Sequence, residues 1–242
     1  MDEDKKATRQ RMLHEQIEQY AQLFPRYRLY AKTLMEVLEK AAKKYAPLAI
    51  VQTRPKSISS FAEKILRKNK YKDPVNEITD LCGARVITHV SVEVKAVCEF
   101  IEKHFDIDWA NTVDASQRLK PTEFGYRSVH YIVQFRDGVF PTKDIDVVIP
   151  REVFGLKAEI QVRTILEHAW ADFSHDMSYK GAFKIPKKWE RELAGLAATL
   201  EGIDNAFSRI HAGLQTYAAS YGTYMSEQQM KDEIDMLELS LN

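Results

Sequence analysis

The stretch RPKSISSFAEKILRK, residues 54–68, carries cations and hydroxyls at a spacing that suits the binding of a polyphosphate. Arg54 and Lys56 come just ahead of a helix start predicted at Ser57, where free backbone N–H groups favour an anion. At about 100° per residue, one face of that helix is polar and the other is apolar. The polar face consists of Ser60, Lys64 and Arg67. The segment predicts a phosphate-binding helix, and an ordinary solvated basic helix is the alternative.

Two carboxylates stand at predicted strands. Asp80 precedes the strand predicted at 83–90, and Glu159 lies in LKAEIQVRT, where polar and apolar residues alternate as in a strand with one buried face. This alternation places Gln161 and Arg163 on the same face as Glu159. Mg²⁺ takes one or two carboxylates and leaves its other positions to phosphate oxygens and water. Beside a phosphate-binding segment, the pair predicts magnesium-dependent phosphoryl chemistry, whereas either carboxylate alone is also typical of a turn or a surface strand.

Polar and aromatic groups crowd into FGYRSVH, residues 124–130, where a strand over 128–136 is predicted to begin. Tyr126 offers a flat face on which a base can stack, and Arg127 and His130 offer cationic or hydrogen-bonding groups. The segment is therefore a candidate pocket for a nucleobase. A half-buried strand tyrosine and a satisfied core histidine are the alternatives.

These groups need a scaffold, and the hydrophobic pattern predicts an α+β fold with one mixed sheet of about five strands flanked by helices. The order is helices, then mixed strands and helices, then helices again. It divides the chain into an N-terminal helical segment at 1–46, a core at 47–185 and C-terminal helices at 186–242 that pack on the core or on a partner.

Several local predictions depend on breakers and periodicity. The helical region at 8–46 is predicted to break near Pro25, because proline removes a backbone donor. Residues 106–123 are polar and predicted to be irregular, and a strand is predicted at 144–149. Residues 226–241 are predicted to form a separate amphipathic helix.

Composition limits the class of protein. The 35 basic residues balance the 35 acidic residues, so no global field recruits nucleic acid or an anionic membrane. No stretch approaches the roughly 18 apolar residues of a membrane span, and the charged N-terminus MDEDKKATRQRM lacks the apolar run of a signal peptide. These features predict a cytoplasmic protein without a membrane partner. Cys82 and Cys98 lie in apolar stretches without ligand-like spacing, which predicts buried reduced thiols and no structural zinc.

Four ordered segments together resemble one family, the RelA/SpoT-type alarmone synthetases, over about residues 50–180. RPKSISSFAEK is similar to the family's ATP-binding segment, and ITDLCGARVI to its Asp-containing metal strand. GYRSVH resembles its guanine-binding loop, and EIQVRTILEHAW its Glu-containing strand and following helix. The resemblance implies a nucleotidyltransferase-like synthetase fold with helical N- and C-terminal extensions.

The resemblance implies a GTP/GDP pyrophosphokinase that transfers the β,γ-pyrophosphate of ATP to the 3′-hydroxyl of GDP or GTP, makes (p)ppGpp and releases AMP. It implies that Asp80 and Glu159 bind Mg²⁺ and carry catalysis, with Glu159 as the candidate acceptor of the 3′-hydroxyl proton. The residues implied to hold the ATP phosphates are Arg54, Lys56, Ser60 and Lys64. The residues implied to bind or support the acceptor are Tyr126, His130, Gln161 and Arg163.

One departure from the family pattern leaves alternatives open. Lys120-Pro121 is separated from Gly125-Tyr126 by Thr-Glu-Phe, whereas the better-known synthetases place the Lys-Pro pair one residue before the Gly-Tyr. An acceptor other than a guanine nucleotide is therefore an alternative: the 3′ end of a tRNA, or an adenine nucleotide. A nucleotide-binding module without catalysis is a third alternative. The helical ends are also candidate surfaces for a homo-oligomer.

Four other residues follow one another along the chain in the order of the metal ligands of HD-type phosphohydrolases, a superficial similarity. They are His168, His175-Asp176 and Asp204. The helix that carries the two histidines is also predicted to supply Trp170 and Phe173 to the core. We therefore interpret these groups as structural and not as a site of alarmone hydrolysis.

Overall fold

The computed structural model describes residues 2–68, 70–115, 128–179 and 186–224, and the single positions 229, 231 and 236. Side chains are described in these ranges except at 2–8, 175–179 and 221–224. Tyr126 and the Lys120-Pro121 pair lie outside the described residues, as does nearly all of the tail helix predicted at 226–241.

Six strands form one mixed sheet, which confirms the predicted α+β class with one strand more than expected. They are β1 (Ile50–Pro55), β2 (Cys82–Thr88), β3 (Phe105–Ile107), β4 (Val113–Asp114), β5 (Val129–Phe135) and β6 (Ala158–Thr164). Their order is β1-β2-β6-β5-β3, and β4 pairs with β5 beside this path. Of the described pairs, β2 and β6 run parallel and the others run antiparallel.

The described residues form six helices. They are α1 (Asp2–Tyr45), α2 (Ile58–Lys68), α3 (Pro74–Glu77), α4 (Ser91–His104), α5 (Ile165–Tyr179) and α6 (Lys187–Tyr224). A short 3-10 turn occupies Arg151–Val153. Across the described residues, no helix has both the length and the apolar character needed to cross a membrane.

The predicted break near Pro25 is wrong, because α1 continues through this residue. Tyr20, Tyr27 and Tyr30 are at most 4% exposed, and they lie on both sides of the proline. Burying one aromatic side chain contributes about 1.5–3 kcal/mol. The burial of these tyrosines therefore outweighs the cost of the single backbone hydrogen bond that the proline removes. Residues of α1 therefore belong to the same hydrophobic core as the sheet.

The strand predicted at 144–149 is also wrong. Ile145, Val147 and Ile149 are buried and alternate with exposed neighbours, as the pattern requires, but the segment joins no strand of the sheet. It lies along α1, where the Lys40 ammonium donates to the backbone oxygen of Asp146. Alternating burial here results from packing against a helix. The described part of the region predicted to be irregular, 106–115, contains most of β3 and the whole of β4.

The register of the sheet separates a core face from a polar face. The alternation predicted for β6 is confirmed, since Ala158, Ile160 and Val162 are fully buried. The opposite face carries Glu159, which pairs with Gly83 of β2, and Gln161, which pairs with Arg85. All the polar groups predicted to do chemistry on β5 and β6 therefore lie on one side of the sheet.

Both cysteines are free thiols, as predicted. Cys82 is fully buried, whereas Cys98 is only half-buried. Burial raises the pKa of each thiol to about 12, so both remain protonated and unreactive at neutral pH.

Candidate active site

The predicted phosphate-binding segment spans the end of β1 and the start of α2. The Ser57 hydroxyl oxygen accepts a hydrogen bond from the Ser60 backbone N–H at 3.1 Å, which confirms Ser57 as the N-cap. Ser57 also donates to the Ser60 hydroxyl at 2.9 Å. Phe61 and Ile65 are buried, so the apolar face of α2 docks on the core as predicted and its polar face stays accessible.

Helix α1 holds this segment from the opposite side. The Tyr20 hydroxyl donates to the backbone oxygen of Lys56 at 2.6 Å, and its ring stacks on Phe61 with 4.4 Å between centroids. The Lys56 backbone N–H in turn donates to the backbone oxygen of Leu81 at 2.8 Å. The N-terminal helix therefore helps to position the cationic residues, a role that the sequence reasoning missed.

Asp80 forms a compact ionic cluster with two of the predicted phosphate-binding lysines. Its Oδ1 accepts from the Lys64 ammonium at 2.7 Å, and its Oδ2 lies 3.1 Å from the Lys56 ammonium. Burial raises the pKa of Asp80, but the two ammonium groups outweigh burial and hold it below its ordinary value. Asp80 is therefore ionised at neutral pH. Its carboxylate holds the ammonium groups of Lys56 and Lys64 beside the start of β2.

Glu159 forms a second cluster on the strands β5 and β6. His130 lies opposite Gln161 in the β5–β6 ladder, and both side chains reach the same carboxylate oxygen. The distances to Glu159 Oε1 are 2.6 Å from His130 Nδ1 and 2.8 Å from Gln161 Nε2. Burial raises the pKa of Glu159, but the two hydrogen bonds and the charge of His130 together hold it below its ordinary value. The carboxylate is thus ionised and fixed in orientation.

A cavity of about 290 Å³ joins the two clusters, since both Asp80 and Glu159 line it. Arg54, Lys56, Ser60 and Gln161 also line it, so five of the predicted residues besides Glu159 face one space. Lys64 adjoins it through its contact with Asp80. Four cations, counting Arg85, surround two carboxylates, and this excess of positive charge favours a polyphosphate.

Three other predicted residues are not among the described residues that line the cavity. His130 contacts Glu159, whereas Arg163, on the same face of β6 as Glu159, is only 2% exposed. Burial, followed by the Arg163 charge, lowers the pKa of His168. Arg163 is therefore buried near His168, and its role in supporting the site stays a prediction. Tyr126 lies outside the described residues.

Arg85 and Gln52 line the cavity and were missed by the sequence reasoning. They face each other across the β1–β2 ladder, on the side that carries Arg54. The available signal was the alternation in GARVIT, which places Arg85 two residues after Gly83 on the polar face.

The carboxylates fit the magnesium site that the sequence predicts. The negative charge of Asp80 acts to raise the pKa of Glu159, so the two groups repel each other within one cavity. A divalent cation relieves such repulsion, and Mg²⁺ needs only one or two carboxylates when phosphate oxygens complete its coordination. No group of three or more potential metal-ligating side chains occurs among the described residues.

The residues with the phosphohydrolase-like order make other contacts. Asp204 is buried and accepts from the Thr164 hydroxyl at 2.6 Å, whereas His168 lies 3.6 Å from Asp172. The prediction that Phe173 enters the core is wrong, since it is 52% exposed. The side chains of His175 and Asp176 are outside the described residues.

The ion pairs of Asp80 predict an acid-sensitive contribution to folding. Because the folded-state pKa lies below the unfolded value, this contribution is present above the unfolded pKa and is lost as pH falls through the folded pKa. We expect the unfolding free energy of Asp80→Asn to decline less than that of wild type between about pH 6 and pH 3. Urea unfolding at several pH values measures this difference.

The matched control is Asp137→Asn, which removes a carboxylate from an exposed turn where no ion pair with a described residue is seen. It should keep the wild-type acid dependence. An equal acid dependence in wild type and Asp80→Asn would contradict the assigned role of the Asp80 cluster.

The fold and the site define an α+β domain whose cation-rich cavity is bordered by two carboxylates. Residues 53–184 match the profile described as "Region found in RelA / SpoT proteins". The chain therefore belongs to the RelA/SpoT family, as the four sequence segments indicated.

Two curated relatives come from Bacillus subtilis (strain 168). GTP pyrophosphokinase YwaC is 30% identical over 161 residues, which cover 65% of this chain and 71% of the relative. GTP pyrophosphokinase YjbM is 26% identical over 177 residues, which cover 73% of this chain and 78% of the relative. Both relatives are thus similar across most of their own length.

Solved structures of the small alarmone synthetase 1 from Bacillus subtilis share the fold. One matches with a TM-score of 0.65 at 22% identity, covering 82% of this chain and 99% of the other. The same synthetase bound to its product pppGpp matches with a TM-score of 0.63 at 23% identity and the same coverage. Its AMPCPP-bound form matches with a TM-score of 0.57 at 20% identity, also with the same coverage. These likenesses confirm the predicted synthetase-like fold.

The position of Arg85 predicts a role in binding the nucleotide donor. Replacing it with glutamine keeps a polar side chain but removes one of the cations around the cavity. We expect Arg85→Gln to weaken ATP binding by about 10-fold or more, because a charged hydrogen bond contributes about 1.5–3 kcal/mol. Calorimetry with a non-hydrolysable ATP analogue measures the change. Arg136→Gln, which alters an exposed cation paired with Asp106, is the control and should bind as wild type does.

Proposed function

We propose that this protein is a pyrophosphokinase that transfers the β,γ-pyrophosphate of ATP to the 3′-hydroxyl of GDP or GTP, makes (p)ppGpp and releases AMP. The observation that carries the proposal is the shared cavity in which Asp80 and Glu159 meet the cations of β1 and β2. Membership of the RelA/SpoT family supports it, as do relatives named GTP pyrophosphokinases. The pppGpp-bound and AMPCPP-bound neighbours are proteins of the same fold that bind such nucleotides.

The cations bind and orient the ATP triphosphate in this proposal. Arg54, Lys56 and Lys64 neutralise phosphate charge, and the N-cap turn at Ser60 adds a hydroxyl beside the helix start. When the triphosphate enters, Lys56 and Lys64 exchange part of their contact with Asp80 for contact with phosphate oxygens. Positioning and charge neutralisation are the main sources of catalysis in phosphoryl transfer.

Asp80 and Glu159 would hold Mg²⁺, which supplies charge neutralisation at the phosphate oxygens when it is bound. The acceptor 3′-oxygen attacks the β-phosphorus in line, and the bond from that phosphorus to the α-phosphate oxygen breaks to release AMP. Glu159 accepts the 3′-hydroxyl proton, for which its low pKa keeps it ionised. His130 and Gln161 keep its carboxylate plane fixed through their hydrogen bonds to Oε1.

Tyr126, the proposed stacking partner of the acceptor base, lies outside the described residues. A guanine nucleotide is favoured by the names of the relatives. The test incubates the protein with Mg²⁺ and γ-labelled ATP, and offers GDP, GTP, ATP alone or deacylated tRNA in parallel reactions.

Label on GDP or GTP with stoichiometric AMP is the expected result. Label transferred to tRNA alone, or to an adenine nucleotide alone, would contradict a guanine acceptor while leaving the pyrophosphate transfer intact. Tight ATP binding without transfer to any acceptor would contradict the enzymatic proposal and favour a binding module.

A further inference from the structure

Three polar side chains form a row across β1, β2 and β6, on the face of the sheet that carries the cavity. Gln52 of β1 lies opposite Arg85 of β2, and Arg85 lies opposite Gln161 of β6. All three residues line the cavity of about 290 Å³. Gln52 comes just before residues 53–184, which match the family profile, so it lies outside that profile.

The groups proposed to bind phosphate lie toward the other end of the same cavity. Lys56 follows Gln52 by four residues, which is roughly 13 Å of extended chain at about 3.3 Å per residue. The ammonium groups of Lys56 and Lys64 lie 3.1 Å and 2.7 Å from the carboxylate of Asp80. Because the cavity continues from these lysines to Gln52, a nucleoside triphosphate whose phosphates meet them can place its base beside Gln52.

The Gln52 amide is available to a ligand. This residue is exposed, and it has no hydrogen-bond partner among the described residues. Two other glutamines of the sheet differ, since Gln134 donates to a backbone oxygen at 2.8 Å and Gln161 donates to Glu159 Oε1 at 2.8 Å. Ile50, two residues earlier on the same side of β1, is 46% exposed. An unpaired amide next to an apolar side chain suits the polar edge and the flat face of a nucleobase.

A glutamine amide distinguishes adenine from guanine at one edge of the base. It carries an acceptor oxygen and a donor nitrogen side by side. At the edge formed by position 6 and N7, adenine presents a donor amino group next to an acceptor nitrogen, so a glutamine can form two hydrogen bonds with it. Guanine presents two acceptors there, O6 and N7, and pairs instead with the donors of an arginine or a lysine.

We propose that Gln52 reads the N6/N7 edge of the donor base and selects ATP over GTP as the donor nucleotide. The Gln52 amide nitrogen donates to N7, and its oxygen accepts from the N6 amino group. This inference rests on the proposed function, in which ATP is the donor and a guanine nucleotide is the acceptor. Both nucleotides carry phosphates that the same cations attract, so charge alone does not keep GTP out of the donor position. A contact with the base is needed for that discrimination.

The test measures displacement of labelled AMPCPP, a non-hydrolysable ATP analogue, by unlabelled nucleotides. It reports binding at the donor position whether or not transfer occurs. Wild type is expected to bind ATP about 10-fold or more tightly than GTP, and also than 7-deaza-ATP, which lacks the N7 acceptor. Gln52→Leu should reduce the difference between ATP and 7-deaza-ATP to less than about threefold, because leucine cannot donate to N7.

A second variant tests for a reversed preference. Gln52→Arg should move the ratio of ATP to GTP affinity toward GTP by about 10-fold or more, because arginine donates to both O6 and N7 of guanine. Its added charge cancels in this ratio, since the two nucleotides carry equal charge. The control Gln134→Leu removes a glutamine of β5 that does not line the cavity, and both ratios should keep their wild-type values. Because Gln52 is exposed, its variants should keep the wild-type unfolding midpoint.

Three results would overturn the inference. They are equal affinity of wild type for ATP and 7-deaza-ATP, an unchanged difference between these two nucleotides in Gln52→Leu, and an equal loss of ATP and GTP affinity in that variant. In the last case Gln52 would contribute affinity without reading the base. Base discrimination without transfer to any acceptor would contradict only the proposed function, whereas transfer without this discrimination would contradict only the role of Gln52.

Discussion

Glu159→Gln is expected to lower acceptor-dependent AMP formation by about 10²–10⁴-fold, the usual contribution of a positioned general base. The amide keeps nearly the same shape and can still accept a hydrogen bond at the position of Oε1. It has no negative charge with which to accept the 3′-hydroxyl proton or bind a cation. Because the cations proposed to bind ATP are untouched, the affinity for ATP should stay within about threefold of wild type.

The control for this variant is Asp106→Asn. It removes one carboxylate from the same face of the sheet at its far edge, where Asp106 pairs with Arg136 in an exposed ion pair. Exposed pairs contribute about 0–1 kcal/mol to stability, so both folding and AMP formation should be preserved. Full activity in Glu159→Gln would show that the proton leaves by another route and would contradict the proposed role of Glu159.

Asp80→Asn should have an effect of similar size, about 10³-fold or more on AMP formation, for a different reason. It removes a proposed magnesium ligand and also the anion that holds Lys56 and Lys64 beside the start of β2. The two freed ammonium groups should retain or strengthen ATP binding in the absence of Mg²⁺. The expected signature is therefore lost turnover with ATP affinity preserved when Mg²⁺ is removed.

A magnesium titration distinguishes ligation from simple loss of structure. Asp80→Glu retains a carboxylate at a shifted position, so some activity should return at raised Mg²⁺ concentration. Asp80→Asn should not recover at any Mg²⁺ concentration. Equal recovery by both variants would contradict a direct role of the Asp80 carboxylate in binding the metal.

Two local predictions failed because tertiary packing outweighed a local sequence pattern. Proline at position 25 predicted a break because a lost donor is a local cost, but buried tyrosines on both sides stabilise a continuous α1. Alternation at 144–149 predicted a strand, since strands bury every second residue. The same alternation also arises when an extended segment packs along a helix, as this segment does along α1.

The sequence by itself determined the class of fold, the family and most of the candidate site. Strand alternation placed Glu159 and Gln161 on one face, and the N-cap at Ser57 oriented the cations of α2, because both effects depend on backbone geometry over a few residues.

Only the tertiary structure decided which distant groups meet. The parallel pairing of β2 with β6 places Asp80 and Glu159 at one cavity, and it adds Arg85. The contact of Tyr20 with Lys56 places α1 behind the same site. Such contacts join residues far apart in the chain, and they follow from the packing of the whole core, which no local pattern specifies.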